Sequence, residues 1–122
     1  MISLSGGWQL VDYILVGPDG NRAPIWPSVA GSLLFTDDGA IAAVIVKQPA
    51  EGISANEIIA YSGAYILSGQ DLNIAIHVSN VRWHHIAPQT RKVSVEDGIL
   101  TMVLENHPRG THIVRWRRLQ AK

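Results

Sequence analysis

Leu4-Ser5-Gly6-Gly7-Trp8-Gln9-Leu10-Val11-Asp12-Tyr13-Ile14-Leu15-Val16 opens the patterned part of the chain, and Val114-Arg115-Trp116-Arg117-Arg118 closes it. Both runs carry the aromatic and β-branched side chains that fit a pleated, half-buried surface. Further short β-patterned runs lie between them. If the sheet they form closes on itself, the first and last strands become neighbours, and a Trp near one meets an Arg from the other. That meeting is the seam of a small barrel.

Working outward from this pair, turn chemistry divides the rest. Gly17-Pro18-Asp19-Gly20 combines a fixed φ, a capping side chain and access to positive φ. Residues 21–29 follow, with Pro24 and Pro27 on either side of Trp26. Proline donates no ladder hydrogen bond, so this piece is expected at an edge or rim. Residues 31–36 and 40–47 flank Asp37-Asp38-Gly39, a short hairpin signal. Residues 63–67 and 72–79 are joined around Ser68-Gly69-Gln70, and residues 90–95 and 100–105 around Glu96-Asp97-Gly98. Residues 111–119 follow Pro108-Arg109-Gly110. Only residues 49–60 break the pattern. There Ser54-x-x-Glu57 has the form of a capping box, which predicts one or two helical turns near 54–60 as a lid or plug. The expected fold is all-β: an antiparallel barrel of roughly eight strands with one short helical segment, in a single domain over residues 1–122.

Composition narrows the function. With 47% hydrophobic and 16% charged residues, the chain is not disordered and suits two-sided burial. Ten basic residues balance ten acidic ones, so no global field recruits nucleic acid or anionic lipid. There are no cysteines, which excludes disulfides, thiolate zinc sites and cysteine nucleophiles. No apolar run approaches ~20 residues and no secretory pattern opens the chain, so a soluble, cytoplasmic protein without membrane contact is expected. Ala40-Ile41-Ala42-Ala43-Val44-Ile45-Val46 is apolar on both faces. One face meets the interior and the other needs a cover, which suggests a homodimer. Its alanines leave interior room, and a closed barrel of about eight strands can hold one small ligand.

At family level, several motifs stand in a recognisable order. They are Leu4-x-Gly6-Gly7-Trp8-x-Leu10-Val11-x-Tyr13, Gly31-x-Leu33-x-Phe35-Thr36-x-Asp38-Gly39 and Tyr61-Ser62-Gly63-x-Tyr65. Gln89-x-Arg91, Gly98-x-Leu100-Thr101 and Trp116-x-Arg118 follow. With these the chain resembles the lipocalin-like domain family of small bacterial and fungal barrels. The resemblance implies an eight-stranded barrel with a central cavity and implies no single activity. Barrels of related shape, the allene-oxide-cyclase-like ones among them, include cofactor-free cyclases and isomerases beside simple carriers. Between Ile74 and Ile86 the chain departs from the family, showing His77 and then Arg82-Trp83-His84-His85.

The candidate chemistry concentrates there. His77 and His84 can move protons near neutrality, and Arg91 can hold a carboxylate or a developing enolate. The plainer alternative is that His84 and His85 sit solvated on a loop. Adjacent strand residues point to opposite faces, so these two do not readily share a metal ion, and none is expected. Asp12 is the other candidate catalytic group. Strict alternation places it on the face of Trp8, Leu10 and Ile14, inside the barrel, where an unpaired carboxylate is costly; the plainer alternative is a slip at the open rim, where water or an Arg satisfies it. Trp26, Phe35, Tyr61, Tyr65 and Trp83 are the expected ligand walls, with core packing as the plainer role for the tyrosines. Trp8, Trp116 and Arg118 are assigned to structure, and His107 and His112 to a solvated turn. No nucleophile elbow, phosphate loop or dinucleotide fingerprint is present. The expectation is a barrel that encloses a small hydrophobic or aromatic molecule without a cofactor. The alternative is a cofactor-free isomerase, cyclase or lyase using His or Asp as acid–base group and Arg or Tyr for oxyanion charge.

Overall fold

The chain's computed structural model describes residues 3–48, 54, 57–81, 89–107 and 110–120. Among them, nine strands form one antiparallel sheet: β1 (Gly6–Val16), β2 (Arg22–Pro24), β3 (Val29–Phe35), β4 (Ala40–Lys47), β5 (Ile58–Ser68), β6 (Asp71–Ser79), β7 (Gln89–Glu96), β8 (Ile99–His107) and β9 (Gly110–Arg118). Each strand from β3 to β9 pairs with the next, β3 also pairs with β1, and β9 returns to β1. Eight strands thus close a barrel and β2 stands outside the ring. Proline-flanked β2 pairs only Ile14–Val16 of β1, the edge position expected for it.

Short turns gather at one end of the barrel. Asp97 and Gly98, both at positive φ, join Glu96 to Ile99 in a two-residue hairpin. The β3–β4 and β5–β6 hairpins lie at this same end, as do the two chain ends. The other end receives the longer connections, after β1, β4 and β6, together with the short β8–β9 link.

The seam forms as the terminal motifs imply. Trp8 pairs with Arg118 and Leu10 with Trp116. The Arg118 guanidinium lies 4.1 Å from the centroid of the Trp8 ring. It also donates to the carbonyls of Ser5 (3.1 Å) and Ser3 (2.6 Å). The Trp8 indole N–H donates to the Leu4 carbonyl at 2.9 Å, so its polar atom is satisfied inside the core. Leu33, Leu72 and Leu100 pack here with no exposed surface. Each indole removes on the order of 200 Å² of mostly apolar area from water, about 5 kcal/mol before entropy.

The helical segment is shorter than the sequence suggests. The capping-box contacts do form: the Ser54 N–H donates to Glu57 Oε1 at 3.0 Å, and the Glu57 N–H to the Ser54 carbonyl at 2.9 Å. They close a single turn. At Ile58 the chain is already strand, with Ile58 opposite Val46 and Ile59 opposite Ile45. Pairing along β4 satisfies the backbone and buries β-branched side chains, which outweighs a local N-cap.

Candidate functional site

One irregularity in β1 decides which polar groups reach the interior. Trp8 and Leu10 face inward and are buried. Leu10 pairs with Trp116 and Asp12 with Arg115, so Val11 is an extra residue and the alternation shifts by one. Beyond the bulge, Tyr13 and Leu15 face the core. Asp12 is carried to the outer surface. There Arg115 Nε donates to both of its carboxylate oxygens at 2.9 and 3.1 Å, and Nη2 adds a third contact. The carboxylate that strict alternation puts inside is therefore slipped outward and satisfied by an Arg, because a one-residue bulge moves a side chain to the opposite face.

In its place the interior holds Tyr13, Tyr61, Gln89, Arg91 and His112. Gln89, Arg91 and His112 are 2%, 8% and 5% exposed, so these are buried polar groups inside an apolar barrel. All five lie within three residues of strand termini at the end with the longer connections. The Tyr13 hydroxyl is hydrogen-bonded to His112 Nδ1, and the two rings meet edge-on with centroids 5.5 Å apart. Arg91 Nη2 donates to Gln89 Oε1 at 3.0 Å and Nη1 to the Thr90 carbonyl at 3.3 Å.

The charges are coupled. Burial holds Arg91 below its ordinary value, and the phenols of Tyr61 and Tyr13 are near enough to act the other way. Burial pushes the Tyr61 phenol up, and the Arg91 charge opposes that shift. At neutral pH the set is a guanidinium cation among neutral phenols. It can bind an anion, or stabilise negative charge as it develops.

The structure sorts the remaining candidates. Trp26 is half-buried against the core, and the neighbouring Ile25 N–H donates to the Tyr13 carbonyl at 3.0 Å, which places this rim piece beside Tyr13. His77 is exposed: β5 pairs Ser62 with Val78 and Gly63 with Ile76, leaving His77 as the bulged residue. It does not join Arg91. Phe35 and Tyr65 stack edge-on at 5.0 Å, and the Tyr65 hydroxyl donates to the Thr36 carbonyl at 2.8 Å. That pair packs beside the β3–β4 turn, at the opposite end from Arg91. Trp83, His84 and His85 lie outside the described residues. So Arg91 and Tyr61 come together with Trp26 at one end, whereas Asp12, His77, Phe35 and Tyr65 do not.

Sequence reasoning missed Tyr13, Gln89 and His112. His112, assigned to a solvated turn, is buried because it shares the inward face of β9 with Val114 and Trp116. The signal was available: His112 stands four residues before Trp116, and even spacing on a strand keeps one face. Tyr13 could not be read inward without knowing of the bulge.

Among the described residues no group of three His, Asp or Glu side chains is placed to hold a metal ion. No described helix is long and apolar enough to cross a membrane.

Fold and interior together define a lipocalin-like antiparallel barrel with a polar cluster at one end. Solved structures share this shape, two of them as follows. A lipocalin-like protein from Bacteroides uniformis ATCC 8492 aligns with a TM-score of 0.57 and 20% identity, over 95% of this chain and 98% of that one. An uncharacterized protein from Bacteroides eggerthii DSM 20697 aligns with a TM-score of 0.54 and 18% identity, over 94% and 98%. At such identities the likeness is one of fold. No protein-family model matches the chain, and no curated protein matches it.

Proposed function

We propose that the barrel encloses a small, largely apolar molecule, entering from the end that carries Tyr13, Tyr61, Arg91 and His112. The observation that carries this reading is the contrast in burial along the inward face. Leu33, Leu72 and Leu100 at the turn end are fully buried, whereas Leu15, Val29, Ile59, Tyr61 and Ile76 toward the other end keep partial access to solvent. Apolar walls with a few convergent polar groups are the usual make-up of a small-molecule site.

A second reading is favoured by the Tyr13–His112 hydrogen bond inside the same cluster as Arg91. A phenol paired with an imidazole can pass a proton, and a guanidinium can hold the oxyanion that results. That would make the protein a cofactor-free isomerase, cyclase or lyase.

On the outside, Leu34, Val78 and Val44 are 52%, 67% and 49% exposed. Leu34, Ala42, Ser62 and Val78 form one lateral row across β3 to β6. This apolar face supports pairing with a second copy.

Native mass spectrometry of protein purified from its own host tests these readings together. The expected spectrum shows a dimer carrying a small organic molecule that denaturation releases. A monomer would refute the pairing, and a bare chain mass in repeated preparations would refute enclosure. Returning the released molecule to stripped protein then separates the two activities: it is recovered unchanged from a carrier and converted by an enzyme.

A further inference from the structure

Arg91 is the buried charge that the described protein leaves without an ionic partner. The chain has ten acidic side chains, and nine of them fall among the described residues. Asp12 is bound to Arg115, Asp71 to Lys92 and Glu57 to Lys47. Asp19, Asp37, Asp38 and Asp97 lie in exposed turns, and Glu96 and Glu105 are exposed. None reaches Arg91, whose contacts among the described residues are the neutral Gln89 amide and the Thr90 carbonyl. Two of its five N–H donors are thereby used.

A guanidinium taken out of water without a counter-ion is unfavourable, and proteins keep such groups where an anion supplies the missing charge. The surroundings say what kind of anion. Gln89 fixes the fork from one side, and three of its N–H donors remain for a planar acceptor. A planar fork matches a carboxylate, which accepts two parallel N–H bonds. Ile59, Ile76 and Leu15 around the same end offer apolar contact to the rest of the molecule.

We infer that the enclosed molecule is an amphiphilic monocarboxylate, its acid group held by the Arg91 fork and its apolar body along the barrel wall. This rests on the enclosure reading above and specifies its ligand class.

The test uses the neutral dye N-phenyl-1-naphthylamine, whose fluorescence reports occupancy of an apolar interior, with decanoate and decanamide as competitors. These share a chain and differ in charge at the head. In the wild-type protein, decanoate is expected to displace the dye at a concentration at least tenfold below that needed for decanamide. Arg91→Met should lose the tenfold ratio, while Arg91→Lys, which keeps the charge but not the fork, should retain part of it. Glu51→Gln removes the one acidic side chain outside the described residues and should leave the ratio unchanged. Equal displacement by acid and amide in the wild type would overturn the inference while leaving enclosure standing. So would an unchanged ratio in Arg91→Met, or a ratio that rises in Glu51→Gln because the chain had supplied its own counter-ion. Absence of dye binding to the wild type would overturn enclosure itself.

Discussion

The two ends of this barrel are made from the same strands and differ in what the inward positions carry. At the turn end the inward side chains are Trp8, Leu33, Leu72, Leu100 and Trp116, all buried. Arg118 donates there to the Ser3 and Ser5 carbonyls and Trp8 to the Leu4 carbonyl, while the buried Trp116 indole N–H has no hydrogen-bond partner among the described residues. At the other end the same inward faces present Tyr13, Tyr61, Arg91 and His112, and the wall keeps contact with solvent. A cation is present at both ends. Arg118 is stacked and hydrogen-bonded to backbone, whereas Arg91 is buried beside neutral groups. One end spends its side chains on stability; the other keeps a buried charge that stability alone does not require.

The sharpest way to break this comparison is Trp8→Ala. A large cavity in the sealed end, with loss of the Arg118 contact, should lower the unfolding free energy by about 3–5 kcal/mol, read from a denaturant titration with unchanged slope. A loss below about 1 kcal/mol would mean the turn end is not the stabilising half. Tyr13→Phe probes the other end. It removes one hydrogen bond to His112 and should cost only about 1 kcal/mol, with the clearer change in whatever ligand binding the cluster supports. A cost matching that of Trp8→Ala would erase the distinction. Smallest of all, Asp12→Asn breaks a surface ion pair with Arg115 and should shift stability by about 0.5 kcal/mol, an effect that shrinks in high salt. A large effect on ligand binding would instead place Asp12 in the interior and contradict the bulge at Val11.

Legibility followed the same divide. The Trp8–Trp116–Arg118 seam could be read because its residues are large, distinctive and placed in regular alternation, and closure has only one way to bring first and last strands together. The hairpin signals at Asp37-Asp38-Gly39 and Asp97-Gly98 act locally, so they too were visible. The candidate site was only partly legible. Arg91 and Tyr61 stand in the buried cluster, but the faces taken by Asp12 and His77 could not be read from alternation because each depends on a bulge, and a bulge is set by the partner strand rather than by the residue itself.

By itself the sequence determined the roughly eight-stranded barrel, most of its turns, the hairpin order and the pair of ends that meet at the seam. These follow from side-chain period and turn chemistry, which operate over a few residues. The tertiary structure alone decided that Tyr13 rather than Asp12 enters the barrel, that His112 is buried, and that Arg91 stands among phenols and an amide. Those outcomes depend on register between strands up to about a hundred residues apart in the chain, as Tyr13 and His112 are (99 residues). A shift of one residue there exchanges the inside of the barrel for the outside.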